Sequence, residues 1–133
     1  MNKSIERVII SGGGTGGHVF PAIAIADAVR ARYPNAEILF VGAEGRMEME
    51  RVPKAGYKIE GLSVQGLDRK RPWRNFKVLL DFLRSEQKAK KLVREFNPQV
   101  VVGVGGYASA PTLRAAQRLG VPTLIQEQNS FAG

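Results

Sequence analysis

Residues 7–32 read RVIISGGGTGGHVFPAIAIADAVRAR, and this stretch decides the fold. Residues 7–11 (RVIIS) form a short β-branched run ending in glycines, the pattern of a buried strand. GGGTGGH at 12–18 then turns the chain. Residues 20–32 have helical patterning, and Pro21 suits a first turn, where its missing N–H costs nothing. Tyr33-Pro34-Asn35 stops that helix. Strand, glycine turn and helix in this order make the opening unit of a parallel α/β layer.

Working outward, residues 37–41 (EILFV) read as a second strand broken by Gly42. A short helix over 46–54, with Pro53 near its end, leads to a third strand over 57–62. A basic loop at 68–74 runs into a long helix from about 73 to 96, ended by Asn97-Pro98. QVVVGV at 99–104 is the clearest buried strand. A second glycine loop at 103–106, a helix over 111–119 and a fifth strand over 123–126 complete the series. No Asn-Gly or Asp-Gly hairpin signal interrupts it. Continuous apolar strands separated by helices predict a parallel sheet covered on both faces. The expected fold class is α/β, a Rossmann-like doubly wound layer with right-handed crossovers.

The 133 residues are one domain's worth, and 44% hydrophobic with 24% charged residues is ordinary globular composition. The absence of cysteine excludes disulfides and cysteine-based metal sites and fits a cytosolic protein. The apolar stretches fall far short of the roughly 20 residues a membrane span needs. MNKSIERVII lacks a small-residue cleavage site, so the expectation is a soluble chain that is not exported. The formal net charge of +8 points to an anionic partner: nucleic acid, an anionic membrane surface or a phosphorylated ligand. The chain stops just past a strand without a closing helix, which reads as a truncation.

Gly12, Gly14 and Gly17 satisfy G-x-G-x-x-G directly after a strand and before a helix. Such a turn exposes backbone N–H groups and aims a helix N-terminus at its ligand, favouring phosphate. The plainer alternative is a tight strand-to-helix turn. No Gly-Lys-Ser/Thr follows, which speaks against a P-loop enzyme. Gly103, Gly105 and Gly106, followed by Tyr107, repeat the arrangement after the fourth strand. Both loops fall at carboxyl ends of parallel strands, the edge where open α/β sheets bind ligands. His18, the only histidine, follows the first loop. It is a candidate base or phosphate and hydroxyl ligand, or else a structural cap. Metal binding has no second histidine to support it. Glu127 and Asn129 lie beyond the fifth strand at the same edge, suited to sugar hydroxyls, to base catalysis or to loop capping.

Arg69, Lys70, Arg71, Arg74 and Lys77 cluster with Trp73, Phe76, Leu79, Leu80, Phe82 and Leu83. From 76 to 83, six of eight residues are apolar, about twice what a helix burying one stripe requires. A tryptophan beside cations and apolar side chains is the pattern of an interfacial membrane contact. A core helix with a solvated basic end is the alternative. Nucleic acid ranks below both, because the aromatics sit among Leu and Val rather than on a polar stacking surface.

Three segments carry a family resemblance: GGGTGGHVFPAIAIA at 12–26, GVGGYASAP at 103–111 and EQNSFAG at 127–133. In order and spacing they resemble the MurG family of peptidoglycan glycosyltransferases, which add N-acetylglucosamine to lipid I. The likeness covers essentially the whole chain. It departs at Gln126, where many members carry histidine. The resemblance implies a GT-B fold of two Rossmann-like domains. Residues 1–133 would be the N-terminal acceptor-binding half, with the donor-binding C-terminal domain absent and no transferase activity expected of this length alone.

It also implies that Thr15, Gly16, Gly17 and Asn129 contact UDP-GlcNAc. Gly14, Gly105, Gly106 and Tyr107 would lie near the acceptor diphosphate. His18 and Glu127 become the candidates for acceptor positioning or proton removal. Arg69, Lys70, Arg71, Trp73, Arg74, Phe76, Lys77, Leu80, Phe82 and Leu83 would contact the membrane, on the cytoplasmic face of the plasma membrane. No cofactor, metal or nucleic acid is implied. The family reaction is inverting: the acceptor 4-hydroxyl displaces UDP in one step. Two other readings compete. A nicotinamide-binding domain wants an acidic residue at the end of the second strand, and Glu44 is close, with Gly42 and Ala43 intervening. A membrane-anchoring subunit of a split GT-B enzyme is the other.

Overall fold

The apolar runs pair side by side in a single parallel sheet. The computed structural model describes residues 4–13, 16–63, 73–106 and 108–126. In chain order the elements are β1 (Arg7–Ser11), α1 (Gly16–Arg32), β2 (Glu37–Ala43), α2 (Glu48–Lys54), β3 (Lys58–Leu62), α3 (Arg74–Phe96), β4 (Val100–Gly103), α4 (Ser109–Arg118) and β5 (Thr123–Ile125). The strand order is β3-β2-β1-β4-β5, parallel throughout. Successive side chains along a strand point to opposite faces, and two cores result. Val8, Ile10, Ile38 and Phe40 bury against Ala22 and Ala26 of α1 and Val52 of α2. Ile9, Val41 and Val101 bury against Ala89 and Val93 of α3 and Ala115 and Ala116 of α4. Each fully buried Ile or Phe contributes about 1.5–3 kcal/mol. The doubly wound α/β layer is therefore as expected.

The direction of winding reverses at β1, which is flanked by β2 and β4. That reversal opens a crevice beyond the carboxyl ends of β1 and β4, where Ser11 and Gly103 lie in register.

Several boundaries differ from expectation. α1 begins at Gly16, so Pro21 sits inside the helix rather than in its first turn. Gly16 and Gly17 are helical, not loop, and the helix end lies closer to the sheet. Gly42 does not break β2; it pairs with Gly61 and the strand runs to Ala43. A Cβ there would lie 2.5 Å from Cγ of Glu48, so this glycine makes room for a side chain. α4 starts at Ser109, two residues before the expected Pro111. Asn97 does end α3, in the left-handed conformation (φ 53°), its N–H donating to the Val93 carbonyl at 2.8 Å.

At the opposite end of the sheet, Tyr57 stacks obliquely on Phe40 with ring centroids 5.3 Å apart. Its hydroxyl donates to Asp27, and the Arg30 guanidinium lies 4.7 Å from its ring centre. Burial, reinforced by the Asp27 carboxylate, pushes the Tyr57 phenol up to about 12.

Candidate functional site

The two glycine loops leave adjacent strands and touch. The Gly13 N–H donates to the Gly105 carbonyl at 3.1 Å, and the Val104 N–H donates to the Ser11 carbonyl at 2.9 Å. Gly106 has φ 96°, and a Cβ on it would lie 2.8 Å from the Gly13 nitrogen and overlap the Gly13 carbonyl oxygen. Only glycine permits that conformation and that approach. His18, half-buried on the opening turn of α1, reaches across to the second loop. A Cβ on Gly105 would lie 2.8 Å from its Nε2. The structure thus brings His18, Gly16, Gly17, Gly105 and Gly106 to one edge. Thr15, Gly14, Tyr107, Glu127 and Asn129 lie outside the described residues.

The first loop departs from the expectation that its N–H groups are offered to a ligand: the first two are turned inward. Gly12 N–H donates to the Val41 carbonyl at 3.3 Å and Gly13 N–H to Gly105. Helices leave their opening N–H groups pointing out of their end, which makes the start of α1 at Gly16 the remaining source of donors at this edge. Neither α1 nor α4 has an acidic residue in its first turn. The macrodipole of each therefore acts there without a carboxylate on its own first turn to offset it.

Hydroxyl groups beneath the loops fix their path, and sequence reasoning missed them. Ser109 Oγ lies 2.8 Å from the Ser11 carbonyl and 3.0 Å from the Gly105 carbonyl, and accepts the Gly105 N–H at 3.1 Å. Ser11 Oγ donates to the Val41 carbonyl at 2.9 Å and sits 3.1 Å from Thr112 Oγ1. Thr112 in turn donates to the Ala108 carbonyl. Ser11, Ser109 and Thr112 are all buried. Among the described residues no buried side-chain nitrogen or oxygen lacks a partner, so this polar layer carries no desolvation penalty of the unsatisfied kind. Alternating strand patterns do not reveal such hydroxyls; their only signal was small polar residues next to glycines.

Glu44 follows β2 directly, the place where a nicotinamide site wants its carboxylate. Its side chain turns away over Gly61, with Oε1 4.0 Å from Lys88 Nζ. Among the described residues no cluster of three or more His, Asp or Glu could hold a metal ion.

The start of α3 faces outward with apolar side chains. Trp73 is 73% exposed and Phe76 71%, and Leu79, Leu80 and Leu83 are exposed beside them. Phe76, Leu80 and Leu83 recur at i, i+4 and i+7, one stripe of the helix. Lys77 and Arg84 are exposed on the same half. Phe82 departs from the expected contact set: it is half-buried and shares the face of buried Ser85 and Ala89. Arg69, Lys70 and Arg71 lie outside the described residues, as does the side chain of Arg74. No described helix is long and apolar enough to cross a membrane.

Residues 8–133 match the glycosyltransferase family 28 N-terminal domain. The chain belongs to that family. It is 68% identical over 127 residues to the UDP-N-acetylglucosamine–N-acetylmuramyl-(pentapeptide) pyrophosphoryl-undecaprenol N-acetylglucosamine transferase of Porphyromonas gingivalis, covering 96% of this chain and 34% of the relative. The transferase of the same name from Bacteroides thetaiotaomicron is 65% identical over 133 residues, 100% of this chain and 36% of the relative. The crystal structure of Acinetobacter baumannii MurG superposes with a TM-score of 0.81 at 28% identity, over 96% of this chain and 36% of that one. The family 28 chain thus has the N-terminal Rossmann-like layer of a GT-B glycosyltransferase. It spans about a third of the length of the curated relatives it matches.

Proposed function

We propose that this chain is the acceptor and membrane side of a transferase that moves N-acetylglucosamine from UDP-GlcNAc to the 4-hydroxyl of lipid I. The observation that carries the reading is the contact between the two glycine loops at the crevice, with His18 laid across it onto Gly105. The relatives that share 65–68% of these residues bear the name of that activity. Inverting transfer needs a base near the acceptor hydroxyl and stabilisation of the leaving diphosphate. In this reading His18, or Glu127 beyond β5, positions or deprotonates the hydroxyl. Thr15, Gly16, Gly17 and Asn129 would contact the donor. Gly14, Gly105, Gly106 and Tyr107 face the acceptor diphosphate. A donor-binding C-terminal domain would complete the cleft, and residues 1–133 alone would not turn over.

The exposed stripe of α3 serves, in the same reading, as a peripheral contact with the cytoplasmic face of the plasma membrane. Apolar side chains would enter the headgroup boundary, and flanking cations would meet anionic lipid. The test is incorporation of labelled GlcNAc from UDP-GlcNAc into a lipid I analogue by the full-length protein. Transfer that disappears when UDP-GlcNAc is replaced by a nicotinamide nucleotide or another nucleotide sugar supports the proposal. Absence of transfer under conditions where a homologous transferase is active overturns it.

A further inference from the structure

Glu48 is the only described carboxylate buried at the carboxyl edge of β1 and β2, and the loops' contact leaves its role open. It opens α2, and it is 1% exposed. Its Oε2 accepts the Ala43 N–H at 2.9 Å. Its carboxyl group lies directly against Gly13, where a Cβ would overlap the carboxyl carbon and both oxygens. Its Cγ fills the space left by Gly42. Gly13 is thereby enclosed: Glu48 on one side, Gly106 on another, and its N–H tied to Gly105. Gly13 has φ 145°, a conformation that side-chain-bearing residues rarely adopt.

A buried carboxylate is costly to desolvate, and a well-packed apolar side chain of equal size would serve stability at least as well. The carboxylate is therefore better explained by what it fixes than by fold stability. We propose that Glu48 is a positioning residue: held by Ala43, it sets the path of the Gly12–Gly13 backbone and so presses the first glycine loop onto the second. The donor groups of α1 then face the crevice in one fixed orientation before any ligand arrives. Preorganisation of this kind matters because displacement of about 1 Å in a reacting group costs on the order of a hundredfold in rate.

The first readout needs no ligand and does not depend on the proposed activity: amide hydrogen exchange in the full-length protein. For Glu48→Met, the Gly13 amide should exchange on the order of tenfold faster while Ile9 and Val101 keep their rates, the signature of local rather than global opening. Glu48→Gln retains size and an acceptor for Ala43 and should restore most of the protection. Glu48→Asp keeps the carboxyl group but is one methylene too short to reach Gly13, and should exchange faster there; it serves if the Met variant fails to fold. Unchanged Gly13 exchange in both Met and Asp variants overturns the proposal. Equal acceleration at Ile9 and Val101 does so too, because it reduces Glu48 to a stability residue.

The second readout rests on the proposed function. With UDP-GlcNAc and a lipid I analogue, kcat of the Asp variant should fall about tenfold, while the donor KM changes by less than about threefold. A kcat equal to wild type, with Gly13 exchange accelerated, would overturn the link from loop position to chemistry. If the wild-type protein transfers no GlcNAc, the functional reading fails, and the exchange experiment still decides the role of Glu48.

Discussion

Gly13, Gly105 and Gly106 at the sheet edge are fixed by hydrogen bonds and by contacts that a single Cβ would destroy, whereas Trp73 and Phe76 at the start of α3 stand more than two-thirds exposed. The described residues of the first region are tied to one another. The second is incomplete in water, since each apolar Å² left exposed forgoes about 25 cal/mol. The contrast separates two kinds of surface. One is held in a single arrangement by its own contacts before any ligand arrives; the other is an apolar surplus left in water.

The sharpest way to break this contrast is Gly106→Ala. The new Cβ would collide with backbone at Gly13 in a left-handed conformation, and something in the loop pair must move. Transfer by the full-length protein should fall about a hundredfold or more. Retained activity would mean that the edge is pliable, and the distinction from α3 would be lost. His18→Ala comes next. If the imidazole removes the acceptor proton, kcat should fall by about 10²–10⁴ with little change in acceptor KM. A rise in KM alone would leave His18 as a contact for the acceptor and shift the base to Glu127.

On the other surface, Trp73→Ala with Phe76→Ala should lower binding to anionic liposomes by about tenfold or more, from the apolar burial removed. Sedimentation with vesicles checks this, and the unfolding midpoint should barely move, because exposed substitutions usually change stability by less than about 0.5 kcal/mol. Unchanged sedimentation would assign the stripe to a protein partner.

The smallest effect is expected away from both surfaces. The Tyr57 phenol is pushed up from 10 to about 12 in the fold. Below pH 10 the phenol is protonated in both the folded and unfolded states, and its contribution is fully present. Between 10 and 12 the unfolded chain releases the proton first, so stability falls as pH rises. Tyr57→Phe should flatten that alkaline decline in a denaturant titration and leave transfer and liposome binding untouched.

The layer itself was legible because buried parallel strands must be continuous apolar runs, as in VVVG at 100–103 and EILFV at 37–41. The helix ends were harder. Gly16 and Gly17 look like loop residues, yet they join α1, since glycine says where backbone needs freedom and not where hydrogen bonding begins. Gly42 has the same lesson in a strand. Nothing in EGRMEMER at 44–51 singles out Glu48, since acidic and basic residues alternate there with methionine. Its neighbour Glu50 is exposed and pairs with Lys54 at 2.9 Å. The clue lay four residues on: Val52, fully buried, shares the face of Glu48. Phe82 shows the converse. Composition marked it with the outward aromatics, and only its place on the face of Ser85 and Ala89 turns it inward.

The register of Ser11 with Gly103 also has a bearing on synthesis. β2 follows β1 closely in the chain, whereas the strand that covers the other edge of β1, Val100–Gly103, emerges from the ribosome only much later. An apolar strand with a bare edge is a template for wrong partners, and parallel pairing across such a sequence separation is slow. The nascent chain therefore passes through a window in which RVIIS is open to intermolecular pairing, and that window closes only when β4 slots in beside it.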